Sequence, residues 1–124
     1  MSTHPVIAVL DDEPRMRSAL HRLLAAHGFT VENYACGADL LEALPSYPAA
    51  CLLLDLHMPG LSGFDVLETW RSRQIPVPVI VITAHDEPGT AERALALGAS
   101  AYLKKPVDKH ALLAAIETAS RGAK

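Results

Sequence analysis

The sequence predicts an α/β fold, a doubly wound five-stranded parallel sheet with helices on both faces. Short apolar runs alternate five times with segments of helical periodicity along the 124 residues. Four of those runs are continuously apolar rather than alternating, as strands buried on both faces read. Strands that alternate with helices imply a parallel sheet, and right-handed crossovers wind it on both sides. The same four runs each end in polar residues, which indicates where the chemistry of such a sheet lies.

Val6 to Leu10 is the first run, followed at once by Asp11, Asp12 and Glu13. Pro14 suits the first position of a helix, and Gly28 suits its C-terminal cap. Between them Met16, Leu20, Leu23, Leu24 and His27 fall on one helical face. Phe29 to Tyr34 alternates and reads as a strand nearer an edge. Leu40, Leu41 and Leu44 mark a short second helix, stopped by Pro45. Leu52 to Leu54 ends at Asp55, and Leu56-His57-Met58-Pro59-Gly60 follows. The proline and glycine force a turn that leaves Asp55 at the strand tip. Phe64, Leu67 and Trp70 mark a third helix. Val79 to Ile82 ends at Thr83, and Ala91, Ala94 and Leu95 mark a fourth helix with Gly98 just past its end. Ala101 to Leu103 is a shorter run that ends at Lys104 and Lys105. Leu112, Leu113, Ile116 and Ala119 mark a fifth helix, with Asp108 as its N-cap.

Composition narrows the function classes. A chain of this length, half hydrophobic, suits one domain over residues 1–124 with one core. The net charge of −3 and the absence of a lysine or arginine run give no footprint for direct nucleic-acid binding. No apolar stretch approaches the roughly 18 residues of a membrane span. Met1 to Pro5 has neither a basic region nor an apolar signal core, so a cytoplasmic location is expected. Cys36 and Cys51 then read as thiols rather than a disulfide, Cys51 as a small buried side chain.

Asp11, Asp12 and Asp55 would converge at one end of the sheet. Three carboxylates close together repel unless something positive lies among them. A hard divalent cation relieves the repulsion, and oxygen ligands suit Mg²⁺. Mg²⁺ takes one or two carboxylates plus phosphate oxygens, so a site of this composition is ready for a phosphate. A carboxylate such as Asp55 can attack phosphorus and form an acyl phosphate. The Thr83 hydroxyl can donate to a phosphate oxygen, and Ala84 is small enough for its backbone N–H to approach the same oxygens. Lys105 can set an ammonium against them. Each residue also has an ordinary explanation. Asp11 and Asp12 could only cap a helix, Thr83 could be a β-branched strand residue, and Lys105 and Lys104 could be solvated lysines. Those explanations are good singly and poor jointly, since four strand ends carry the set.

The chain resembles response-regulator receiver domains from Val6 to about Ala119. Asp11-Asp12-Glu13, Asp55 with Met58-Pro59-Gly60, Thr83-Ala84 and Lys105-Pro106 carry the resemblance. Val9-Leu10-Asp11-Asp12-Glu13, Ile80-Val81-Ile82-Thr83 and Lys105-Pro106 make it most similar to FixJ-type receivers. The resemblance implies a (βα)5 flavodoxin-like receiver fold and a phosphoacceptor switch rather than an enzyme, one that controls an output domain or partner, as in transcription regulation. Asp55 would take the phosphoryl group from a histidine kinase or a small phosphodonor. Asp12, Asp55 and the His57 backbone carbonyl would hold Mg²⁺, with Asp11 acting through bound water. Thr83 and Lys105 would bind the phosphoryl oxygens, and Tyr102 would turn inward on activation. Lys105-Pro106 would be joined by a cis peptide. The fourth helix, last strand and fifth helix would form the face for a partner or for a homodimer.

His57 departs from the small polar residue or arginine common in relatives. In the resembled fold it would, with His85, flank the phosphoryl group where water attacks; two imidazoles there would crowd the approach, or a neutral one would act as a general base. A transition-metal site of the two is a weaker reading, and His4, His21, His27 and His110 read as surface or helix residues. Two other functions use similar residues. An aspartate-nucleophile phosphohydrolase of the haloacid-dehalogenase type would place its nucleophile after the first strand, in an Asp-x-Asp pattern. A flavodoxin-like electron carrier would need a Ser-, Thr- and Gly-rich phosphate loop where Asp11-Asp12-Glu13 stands.

Overall fold

The computed structural model describes residues 6–43, 49–58 and 62–122. Its elements follow the order β1 (Val6–Leu10), α1 (Pro14–Ala26), β2 (Thr30–Tyr34), α2 (Gly37–Ala43), β3 (Cys51–Asp55), α3 (Gly63–Ser72), β4 (Val79–Thr83), α4 (Thr90–Ala96), β5 (Ala101–Lys104) and α5 (Lys109–Gly122). All four strand pairings are parallel, and the sheet order is β2-β1-β3-β4-β5. The expected doubly wound five-stranded sheet is therefore present. Its order reverses at β1, which lies between β2 and β3, and the crevice beside such a reversal is where ligands sit in this architecture.

The continuous apolar strands divide their side chains between two cores, because successive residues point to opposite faces. Ala8, Leu10, Leu52, Leu54, Val79 and Val81 pack with Leu40 of α2, Val66, Leu67 and Trp70 of α3, and Ala94 of α4. Ile7, Val9, Cys51, Leu53, Ile80 and Ile82 pack with Leu20 and Leu24 of α1 and with Leu112, Ile116 and Ala119 of α5. Helices thus cover both faces, three on one and two on the other.

Local signals set the helix ends. Pro14 opens α1, and Gly28 follows it at φ +88°, a conformation that costs glycine little. Ser62 and Asp65 close a reciprocal capping box at the start of α3. The Asp108 carboxylate accepts the Ala111 N–H at 2.9 Å, as expected of an N-cap to α5.

Four expectations need correction or restriction. His27 does not join the apolar face of α1. It is exposed, and its Nδ1 lies 2.9 Å from the Leu23 carbonyl oxygen beyond the last turn. Leu95 is 49% exposed, while Ala94 and Leu97 supply the inward contacts of α4. The run Ala101 to Leu103 is only half buried, because β5 pairs with β4 alone and forms a sheet edge. Leu44 and Pro45, expected to end α2, lie outside the described residues, as do Pro59 and Gly60 after β3.

Candidate functional site

Three central strands and the edge strand β5 end at one recess. Parallel pairing puts Leu10, Leu54, Val81 and Tyr102 in one row across the sheet, so the residues that follow them emerge side by side. The recess is lined by Asp12, Glu13, Pro14, Asp55, His57, Ala84, His85 and Lys105. Asp11 and Thr83 lie just beneath it and are 3% and 0% exposed.

Asp11 is the most heavily engaged carboxylate. One oxygen accepts the Glu13 N–H at 2.9 Å, and the other accepts from Lys105 Nζ at 3.0 Å. Its backbone carbonyl accepts from Arg17 at 2.6 Å. Asp12 is exposed, so the adjacent acids divide into one buried and one solvent-facing group. Neither caps α1, whose N-cap residue is Glu13.

Asp55 ends β3 and is 5% exposed. One carboxylate oxygen accepts the His57 N–H at 3.3 Å, and the other lies 3.8 Å from Lys105 Nζ. Burial pushes the Asp55 carboxyl up to about 6, and the charges of Asp11 and Asp12 push the same way. Lys105 and the His57 N–H oppose that rise without cancelling it. Burial works to lower the Lys105 ammonium, but Asp11, Asp55 and Glu13 outweigh it and raise it. The ammonium is therefore a permanent cation at neutral pH, set between two buried acids.

Two backbone features place that cation. The Lys105 N–H donates to the Thr83 carbonyl at 2.8 Å, which ties the residue after β5 to the end of β4. The Lys105–Pro106 peptide is cis, as the resemblance implied. Lys104 is exposed and pairs with Asp86 at 3.5 Å, so of the two adjacent lysines only Lys105 enters the recess.

Thr83 holds its hydroxyl under the recess, where the oxygen accepts the His85 N–H at 3.0 Å. Tyr102 lies apart from the acids. Its hydroxyl donates to Asp86 at 3.0 Å, and burial together with the Asp86 and Glu92 charges pushes it up to about 12.

The donor set fits a hard divalent cation. Oxygens of Asp11, Asp12 and Asp55 all lie within 4.8 Å of one another, and two of the three carboxylates are buried. They are the only such group among the described residues. Carboxylate oxygens suit Mg²⁺ rather than a thiolate- or imidazole-seeking metal. Lys105 balances at most one of the three charges.

Sequence reasoning missed three participants. Glu13 stands 3.8 Å from Lys105 Nζ, and Asp86 is the partner of Tyr102. Gly63 abuts the site from behind, since a Cβ there would come within 2.6 Å of the Asp55 carbonyl oxygen. The adjacency of Glu13 to the acid pair hinted at the first, whereas no local pattern marks the other two. A separate groove lies away from these acids, beside Trp70, Ile75, Pro76, Leu97, Ala115 and Thr118, and gathers no carboxylates.

Comparison with known proteins agrees with this fold. Residues 7–117 match the family model described as the response regulator receiver domain. The chain is 37% identical over 123 residues to the transcriptional regulatory protein FixJ of Bradyrhizobium diazoefficiens, covering 99% of this chain and 60% of that protein. It is 39% identical over 114 residues to the DNA-binding transcriptional regulator NtrC of Escherichia coli, covering 92% of this chain and 24% of NtrC. The crystal structure of FixJ-N superimposes with a TM-score of 0.88 at 31% identity, covering 98% of this chain and 96% of that one. The chain thus spans only part of the length of the regulators it matches.

Proposed function

The chain belongs to the response regulator receiver domain family, and from that premise we propose that Asp55 is its phosphoacceptor. It is a receiver domain of the two-component kind, a class of phosphoacceptor switch rather than of phosphohydrolase. The observation that carries the assignment of Asp55 is its place. It is the buried carboxylate at the tip of β3, with one oxygen 3.8 Å from the Lys105 ammonium and the other on the His57 N–H.

The transfer is a nucleophilic displacement at phosphorus. An Asp55 oxygen forms the new bond while the donor's bond to phosphorus breaks and its electron pair leaves with the donor. The donor is a histidine kinase phosphoimidazole or a small acyl phosphate. Asp12, Asp55 and the His57 backbone carbonyl would hold Mg²⁺, with Asp11 reaching it through bound water. When bound, the ion supplies positive charge against the phosphoryl oxygens. Lys105, already between Asp11 and Asp55, moves its ammonium onto a phosphoryl oxygen. Thr83 uses its own hydroxyl hydrogen as a donor, and Ala84, which lines the recess wall, would offer its backbone N–H to the same oxygens.

The new group adds roughly two negative charges. Thr83 and Lys105 lie at the ends of β4 and β5, so their movement toward it is passed to α4, β5 and α5. That face is the proposed site for a second copy, an output domain or a partner. Regulation of transcription is the output that FixJ and NtrC suggest by name.

The test is labelling with acetyl phosphate and Mg²⁺, read by mass spectrometry of the intact protein and of its peptides. Wild type takes one phosphoryl group on Asp55, and Asp55→Asn takes none. Equal labelling of the variant moves the nucleophile elsewhere.

A further inference from the structure

A different recess, of about 390 Å³, lies between α1 and the end of β2 and is lined by Pro14, Arg17, Ser18, His21, Arg22 and Asn33. The five residues from α1 recur at the three- and four-residue spacing that places side chains on one helical face. Two arginines, a serine and a histidine thus meet on a chain whose net charge is −3, and no carboxylate is among the lining residues. Most of their donors are uncommitted. Arg17 gives one N–H to the Asp11 carbonyl and keeps the rest of its fork. His21 Nδ1 lies 3.2 Å from the Asn33 amide nitrogen. With that amide donating, the ring hydrogen sits on Nε2 as a further donor. Ser18 and Arg22 are exposed and have no hydrogen-bond or ion-pair partner among the described residues.

We propose that this recess is a binding site for a phosphate dianion, either free or as the end group of a small phosphomonoester. Guanidinium groups match phosphate oxygens in pairs, and two of them match the two charges of the dianion. The serine hydroxyl and the imidazole N–H serve the remaining oxygen. A lone carboxylate has one charge and two oxygens, and it would leave half of these donors idle. The space is of the size that takes a small organic molecule, so it has room for the rest of a phosphomonoester. The site stands apart from Asp55 and does not depend on its assignment as phosphoacceptor. Pro14 lines both recesses, but Asp12 and Glu13 line the other one. Those acids repel an anion that brings no divalent cation, and the arginines attract it.

The test is an amide NMR titration of the whole chain in buffer without divalent cations. The probes are inorganic phosphate, glycerol phosphate, and sodium chloride at matched ionic strength. The phosphate probes should shift the amides of Ser18, His21, Arg22 and Asn33 saturably, and sodium chloride should not. Arg22→Gln should weaken binding roughly tenfold, the worth of a charge-assisted contact. Arg15→Gln removes an exposed charge of the same helix that does not line the recess. It should change the affinity by no more than about twofold, because such charges are screened. Saturation by either probe sustains the site. Tighter binding of glycerol phosphate makes a phosphomonoester the ligand, and equal or tighter binding of phosphate makes it the free ion. Shifts that do not saturate, that sodium chloride reproduces, or that gather at Asp12, Asp55 and Lys105 instead each overturn the proposal. Equal losses in Arg15→Gln and Arg22→Gln overturn it as well, since they would reduce the effect to general surface charge.

Discussion

At the scale of the residue, Asp55 is costly to keep ionised. Its carboxyl is raised to about 6, chiefly by burial and then by the Asp11 charge, and Lys105 only partly relieves it. The folded state therefore prefers the protonated form. The stability Asp55 contributes is fully present below the ordinary carboxyl value near 3.8 and is lost as pH rises through about 6. In buffer without divalent cations near neutral pH, Asp55→Asn should therefore be more stable than wild type. Two pKa units at about 1.4 kcal/mol each bound the gain at about 3 kcal/mol. The gap should close as pH falls from about 6 to about 4, because the wild-type carboxyl then becomes neutral as well. Urea denaturation of both proteins across that window measures it. A wild type as stable as the variant near neutrality would mean that Lys105 already compensates the buried charge.

At the scale of the element, strand tips made the acids legible and tertiary approach hid the rest. Asp11, Asp55, Thr83 and Lys105 follow abrupt ends of apolar runs, and the parallel sheet gathers such ends at one edge whatever their separation in sequence. Lys105 and Asp11 stand 94 residues apart yet meet at 3.0 Å. Edge position was legible for β2, whose residues alternate, but not for β5, whose short apolar run resembles an interior strand. Gly63 shows a different limit. It opens α3, its N–H donates to the Leu56 carbonyl at 3.0 Å, and its missing Cβ leaves room for the chain just past β3. Nothing in the local sequence reports that approach, since a small residue after an N-cap serine is ordinary.

A Cβ at position 63 would lie 2.5 Å from the Leu56 Cα and 2.6 Å from the Asp55 carbonyl oxygen. Both obstacles are backbone, so α3 or the end of β3 must shift. Gly63→Ala should destabilise the fold by about 1–3 kcal/mol, the usual cost of overpacking. Most of that strain falls beside the proposed nucleophile, so labelling of Asp55 should slow even where the variant remains folded. Urea denaturation and the rate of labelling by acetyl phosphate check the two parts. A variant of wild-type stability would show that α3 moves away freely.

At the scale of the whole molecule, the recess and the α4–β5–α5 face are joined through the ends of β4 and β5. Lys105 lines the recess with Thr83 beneath it, while Asp86, just past β4, holds Tyr102 and Lys104 of β5. Among the described residues no helix is long and apolar enough to cross a membrane, and the exposed Leu95 on α4 is the one large apolar side chain in the open. On the switch role proposed for Tyr102, a message from Asp55 would reach this face by displacing Tyr102 from Asp86. The size of that contact decides how strongly it resists. A hydrogen bond of this kind contributes on the order of 1 kcal/mol, whereas moving a switch from mostly off to mostly on takes about 5.5 kcal/mol. Asp86→Ala should thus raise the ratio of switched to unswitched form by about fivefold without completing the change. In NMR spectra of the unphosphorylated variant, Tyr102 and its neighbours should shift part of the way toward their positions in phosphorylated wild type. Phosphorylation of the variant should then carry them the remaining distance. Burial is the main cause of the raised Tyr102 hydroxyl and would remain, but loss of the Asp86 hydrogen bond and charge should bring it part of the way down from about 12. A spectrum that matches phosphorylated wild type before any phosphoryl group is added would make Asp86 the principal restraint. A spectrum unchanged around Tyr102 would place the restraint elsewhere in β4 or β5.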